Sequence, residues 1–235
     1  MTFSLCVREP YQDATESRQY RFGVAVTTRL PGVGALCPFV SEHGAIAVQS
    51  HVSDWLGERT LAYLDDGLGI DDAVTALLNA DDNRRNRQIH GVDTNDSVVF
   101  TGDSCVGSAG HRDTGQFTVA GNLLADDAVL DAMATAYESE AFGKTPLADR
   151  LINALAAGVA AGGDTREVLS VGSAALKVVS TESTGYRRFY NDLRVDASET
   201  PVSDLRTTYE AALLGYEQSL DAYADPEGVD SLQPQ

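Results

Sequence analysis

Residues 2–9 read TFSLCVRE. Alternation puts Phe3, Leu5 and Val7 on one face, the pattern of a half-buried strand. The stretch opens on a threonine directly after the initiator methionine, and threonine is small enough for that methionine to be trimmed. Trimming leaves Thr2 with a hydroxyl and a free α-amine. The amine titrates near pH ~8, so a useful fraction is neutral and can take the hydroxyl proton. Threonine is also a β-favouring residue that commonly begins a strand. What the rest of the chain builds around Thr2 decides between a nucleophile and a strand start.

A polar run, PYQDATESRQ (10–19), reads as a hairpin loop, and YRFGVAVTT (20–28) as a second strand. GALCPFVSEHGAIAVQS (34–50) holds two more short apolar runs, split by a turn at SEHG. Two helices follow. SDWLGERTLAYLDDG (53–67) has an N-cap Ser53 or Asp54 and sets Trp55, Leu56, Leu61 and Leu64 at mostly helical spacing. GIDDAVTALLNAD (69–81) carries acids in its first turn, favourable for the helix dipole.

The middle returns to strands, NRQIHGVDTNDSVVFTGDSC (86–105) with a turn at DTNDS, then GQFTVAGNLLA (115–125). Two further helices are DDAVLDAMATAYES (126–139) and TPLADRLINALAAGVAAGG (145–163). In the second, Leu147, Leu151, Leu155 and Val159 recur every four residues before Gly162-Gly163. VGSAALKVVST (171–181) and YNDLRVDAS (190–198) are strands, and TPVSDLRTTYEAALLGYEQSLDAYA (200–224) is a last long helix. Strands and helices come in separated runs, so the chain predicts an α+β fold rather than a doubly wound parallel sheet. Two packed antiparallel sheets with helices outside both account for the order. Residues 1–223 are expected to form one domain and residues 224–235 a frayed tail.

The formal charge is −18, from 35 acidic and 17 basic residues. Such a field repels phosphate backbones and anionic lipid surfaces, so nucleic acid and membrane are not expected partners. The only lysines are Lys144 and Lys177, and the acids are spread in pairs such as Asp65-Asp66 and Asp81-Asp82. With 43% hydrophobic residues the chain has enough for a core. Many Asp, few Lys and a normal core point to a halophile's cytosol, where salt screens self-repulsion, against an ordinary acidic enzyme. No basic-then-apolar leader is evident, and cytoplasmic localisation is expected. Cys6, Cys37 and Cys105 form neither a disulfide framework nor a zinc motif. His43, His51, His90 and His111 show no metal-ligand spacing, and LPGVGAL (30–36) lacks a complete phosphate-binding motif. Neither metal nor cofactor is expected.

RFGVAVTTRLPGVGALCPF (21–39) is similar to the Gly-Val-Ala-Val…Val-Gly-Ala…Pro stretch of a family known as "domain of unknown function 1028". RQIHGVD, FTGDSCVGSAGH, VAGNLL, LADRLINALAAGVAAGGDTR, SAALKVV and DLRVDASETPVSDLR match it in the same order, over roughly residues 2–209. The resemblance implies a four-layer αββα sandwich like that of N-terminal-nucleophile (Ntn) hydrolases. Members begin Met-Thr-Phe-Ser or similar, as here. Three positions depart from the family pattern. Thr27 stands in place of glutamine, Ser108 in place of tryptophan, and GGDTREVLSVGS alters a glycine and a glutamine.

Within that frame Thr2 is the candidate nucleophile for an amide bond of a small substrate. Asn122, at a strand end, is the candidate oxyanion donor, with Gly121 allowing close backbone approach. Both are equally at home in a plain turn. His111, in AGHRDTG, is a candidate acid or base or a loop histidine. Its His-Arg-Asp triplet lacks the other kinase motifs. Asp164 and Arg166 are candidates to orient a substrate carboxylate or the amine of Thr2, or simply an ion pair holding a loop. Cys105 is a candidate pocket residue or a buried thiol, and an enzyme built on Cys105 and His111 is a third reading. A non-catalytic ligand-binding or assembly protein is the main rival. In the last helix Leu205, Tyr209, Ala212, Tyr216, Leu220 and Tyr223 fall near a heptad stripe. That stripe predicts a homodimer or higher oligomer, against docking on the chain's own sheet.

Overall fold

The computed structural model describes residues 2–163, 169–182 and 189–223. Among them, β1 (Thr2–Gln12), β2 (Arg18–Thr28), β7 (Ser108–Asp113), β8 (Phe117–Leu124), β9 (Gly172–Ser180) and β10 (Asp192–Ser198) form a six-stranded sheet ordered β10-β9-β2-β1-β8-β7. β3 (Pro38–Ser41), β4 (Gly44–Ser50), β5 (Arg87–Asp93) and β6 (Ser97–Thr101) form a four-stranded sheet in sequence order. Every pairing is antiparallel. The helices are α1 (Asp54–Asp65), α2 (Ile70–Asn79), α3 (Ala128–Glu140), α4 (Leu147–Ala160) and α5 (Pro201–Tyr223).

Three apolar clusters define the layers. Phe3, Leu5 and Val7 of β1 pack with Met133 of α3, Leu151 and Leu155 of α4 and Leu205 of α5. Ile46, Val48 and Ile89 of the smaller sheet pack with Leu56 and Leu64 of α1 and Val74 and Leu77 of α2. Cys6, Val24 and Val26 meet Ala45, Ala47 and Val92 between the sheets. The order is therefore helices, large sheet, small sheet, helices, as the run order predicts. Full burial of side chains such as Phe3 and Leu5 contributes about 2 kcal/mol each.

Three expectations are corrected. The first loop is only residues 13–17, because β1 and β2 stay paired as far as Gln12↔Arg18. The Asp13 carboxylate closes that turn by accepting from the backbone N–H of Thr15 at 2.8 Å and of Ser17 at 3.0 Å. In α4, Leu147, Leu151 and Leu155 are buried but Val159 is exposed. A four-residue repeat drifts about 40° per step on a 3.6-residue helix, so the fourth member leaves the face. Trp55 is likewise exposed, on the outer side of α1.

In α5, Leu205 and Tyr209 are buried against the chain's own large sheet, and Tyr216 packs edge-on to Tyr190 at 5.2 Å. This half of the heptad stripe is intramolecular. Farther along, Leu214 and Leu220 are exposed. Among the described residues, no helix is long and apolar enough to cross a membrane. Residues 224–235, the expected tail, lie outside the described residues, as does the side chain of Tyr223.

Candidate active site at the open end of the sheets

β1 lies inside the large sheet, between β2 and β8. Its first residue pairs with both neighbours: Thr2↔Thr28 on one side and Thr2↔Asn122 on the other. Residues directly opposite one another in antiparallel strands share a face. The face is set by alternation. Phe3 and Leu5 enter the helix-side core, whereas Ser4 and Cys6 reach residues of the small sheet. Thr2, Thr28 and Asn122 thus form a row of two hydroxyls and an amide on the inter-sheet side. The Thr2 hydroxyl donates to Thr28 Oγ1 at 3.1 Å. Thr2 is half-buried, and Asn122 is buried.

Behind this row runs a buried polar chain. Ser4 Oγ donates to Gln49 Oε1 at 2.7 Å, and Gln49 Nε2 donates to Gln88 Oε1 at 2.9 Å. The same Gln88 oxygen accepts from Asn122 Nδ2 at 3.1 Å. His90 Nε2 lies 2.6 Å from Ser4 Oγ, and His90 Nδ1 lies 2.8 Å from Thr118 Oγ1. Burial is the main cause that pushes the His90 imidazole down to about 3, so it is neutral at physiological pH. The serine proton is already given to Gln49. The proton on the neutral ring therefore sits on Nε2, and Thr118 donates to Nδ1. All donors point one way, from Thr118 through His90, Ser4 and Gln49 to Gln88.

Gln88 is the junction. Its Nε2 lies within 3.0 Å of Thr101 Oγ1, Gly110 O and Gly121 O. Its oxygen takes one proton of the Asn122 amide, which leaves that amide one N–H for another acceptor. Two non-glycine residues beside these amides have left-handed backbone: Ser50 (φ 68), after Gln49, and Leu123 (φ 55), after Asn122. Each such residue costs on the order of 1–3 kcal/mol, and such strain clusters at functional sites. Arg87, next to Gln88, is buried and paired with Asp81 at 2.7 Å, which holds that carboxyl below the usual carboxylate range.

A family model described as "Family of unknown function (DUF1028)" matches residues 2–205. The chain belongs to the DUF1028 family. Its fold is similar to the crystal structure of SPO2555, a DUF1028 protein of Silicibacter pomeroyi. The TM-score is 0.71 at 25% identity, over 90% of this chain and 88% of that one. A search of curated proteins finds no match.

In this DUF1028 chain the sequence-derived candidates are distributed as follows. Thr2 and Asn122 are direct cross-strand partners. His111 lies on β7 opposite Ala120, which in turn pairs with Ser4. It shares the inter-sheet face but sits two strands over from Thr2, roughly 12 Å away from strand spacing and rise. Its Nδ1 is 2.9 Å from Thr101 Oγ1, so it joins the network through Gln88. Partial burial keeps it below the ordinary histidine value. Gly121 contributes its carbonyl to Gln88. A Cβ there would point the other way and meet Leu124 at 2.6 Å. Cys105 is partly buried and donates to the Arg87 carbonyl at 3.3 Å. Asp164, Arg166 and Met1 lie outside the described residues.

Ser4, Gln49, Gln88, His90 and Thr118 are absent from the sequence candidates. A signal exists in RQIHGVD. Ile89 faces the helices, so Gln88 and His90 must both face the interior between two sheets, where unpaired polar groups are costly. A cleft of ≈ 280 Å³ opens at the same end of the large sheet. Phe3, Thr28, Arg29 and Gly163 line it, with Glu199 and Thr200 from the approach to α5. Among the described residues no group of three or more His, Cys, Asp or Glu is arranged to hold a metal.

Proposed function

We propose that this protein is an Ntn-type amidohydrolase acting on a small substrate after removal of Met1. The Thr2 hydroxyl attacks the amide carbonyl, and the Thr2 α-amine takes its proton. The carbonyl oxygen becomes an oxyanion held by the free N–H of Asn122. As the tetrahedral adduct collapses, the C–N bond breaks and the ammonium proton goes to the departing amine. Water then hydrolyses the ester on Thr2, returning the hydroxyl.

The observation that carries this reading is the register Thr2↔Asn122, with the Asn122 amide anchored through one N–H to Gln88. A nucleophile and an oxyanion donor need that kind of adjacency. Around this core Gly121 acts through its carbonyl on Gln88, and His111 tunes the network through Thr101. Cys105, bonded to the Arg87 carbonyl beside Gln88, backs the network, and Asp164 and Arg166 orient a substrate carboxylate or the amine of Thr2. The acidic, lysine-poor composition supports a salt-rich cytoplasm, and the exposed end of α5 supports self-association.

Intact-mass measurement or N-terminal sequencing of native protein tests the first requirement. Met1 retained in most molecules defeats the mechanism and leaves the non-catalytic, ligand-binding reading on the same fold. If Met1 is absent, Thr2→Ala must abolish turnover in a screen of small amides. Turnover equal to wild type moves the catalytic role elsewhere.

A further inference from the structure

β1 begins at the candidate active site and ends far from it. Its Glu9–Tyr11 end lies roughly 25 Å from Thr2 at about 3.3 Å per residue. There the chain encloses a second and larger cavity, of ≈ 500 Å³. That volume falls within the ~300–1,000 Å³ of small-molecule sites.

Its floor is charged but neutralised. Arg150 donates from Nη2 to Glu9 Oε2 at 2.7 Å and from Nη1 to Oε1. The Tyr137 hydroxyl donates to the same Oε1 at 2.7 Å, and Arg150 Nε donates to the Thr145 carbonyl at 2.9 Å. Glu9, Arg150 and Tyr137 are all buried, and their charges cancel in place. The walls are aromatic, from Tyr11, Tyr190 and Tyr209.

The rim is cationic. Arg21 stacks on the Tyr11 ring at 3.9 Å, and Lys144 is one of only two lysines in a chain of charge −18. Among the described residues neither has a carboxylate partner. The carboxylate nearest the Tyr11 hydroxyl, Glu182, accepts its bond at 2.9 Å. Asp149, whose charge reaches Tyr209, is paired with Arg206 at 2.6 Å, so among the described residues two cations stand against Glu182 and the mouth is net positive.

Tyr209 supplies a pointer to a ligand. It is 3% exposed, yet its hydroxyl has no hydrogen-bond partner among the described residues. Among the described residues, side-chain polar atoms that are fully buried all have partners. The exposed sliver of Tyr209 therefore includes its hydroxyl, and the cavity is what it lines. A deeply set O–H donor without an acceptor, flat aromatic walls and a positive mouth share one complement.

We propose that this cavity binds a small organic anion, a carboxylate on a flat apolar body. The ring lies against the tyrosines. The carboxylate accepts from Tyr209 and neutralises Lys144 and Arg21. The site is separate from Thr2 and stands whether or not Thr2 is a nucleophile.

The test is calorimetric titration of the full chain with benzoate, phenylacetate and indole-3-acetate, each beside its neutral amide. At least one acid should bind, with its amide about tenfold weaker or more. Tyr209→Phe and Lys144→Gln, shown folded by circular dichroism, should each weaken the acid about tenfold. Thr2→Ala should leave binding unchanged. Equal binding of acid and amide, no binding by any acid, or wild-type affinity in both variants overturns the proposal. Loss of binding in Thr2→Ala also overturns it, by moving the ligand to the other site.

Discussion

Thr2 and Asn122 face each other across β1 and β8, in direct antiparallel register on the inter-sheet side. Asn122 is buried and bonded to Gln88, whereas Thr2 is half-buried. One partner is fixed and the other is reachable.

If that amide holds an oxyanion, Asn122→Ala should lower kcat about 10²–10³-fold on a small amide substrate. KM should move little, because the bond forms as charge develops. Gln88→Leu leaves Asn122 in place without its anchor and should cause a smaller loss. A kcat unchanged in Asn122→Ala removes the amide from the mechanism.

His90 makes stability depend on acid. Its folded value is near 3, against about 6.5 unfolded, so between these pH values only the unfolded chain binds the proton. Stability therefore rises with pH across this window and is lost as pH falls from about 6.5 towards 3. At pH ~4.5 the loss from this group is on the order of 2–3 kcal/mol. Urea unfolding of His90→Gln and wild type at pH ~7 and ~4.5 checks it; the variant should show the shallower acid limb. The His90 ring resonance should not titrate between pH ~8 and ~5.

The Glu9–Arg150 pair is buried at both ends. Arg150→Met alone leaves Glu9 charged and unpaired, and should cost about 3–5 kcal/mol in urea unfolding. Glu9→Leu combined with Arg150→Met should recover much of that loss. A double variant as unstable as the single one contradicts the account.

Net charge of −18 is self-repulsive at low ionic strength. Thermal unfolding in about 0.1 M and about 2 M KCl should show a higher Tm at the higher salt, as the Debye length falls from ~10 Å to below ~3 Å. A Tm that falls with KCl contradicts the salt-adapted reading.

The layer order was legible because strand runs and helix runs come in separated blocks, bounded by turn and cap residues. β7 was not. SAGHRD offers no apolar alternation, and as an edge strand it is held by β8 on one side only. His111 therefore reads as a loop residue in sequence and stands on a strand in the structure. Thr2 and Asn122 were legible as candidates, Thr2 from its place after Met1, Asn122 from its place at a strand end, with the family resemblance beside both. Their pairing was not, since register emerges only when distant strands meet. The Gln49–Gln88–His90 chain escaped because its members sit on different strands, where no short motif joins them.

The central place of β1 bears on how the protein is made in the laboratory. Residues fused ahead of Thr2 would begin beside its two cross-strand partners, Thr28 and Asn122. An amino-terminal affinity tag would continue from this row of Thr2, Thr28 and Asn122 and cap the α-amine. If Thr2 acts through that amine, protein purified that way would test inert, so a tag belongs at the other end of the chain.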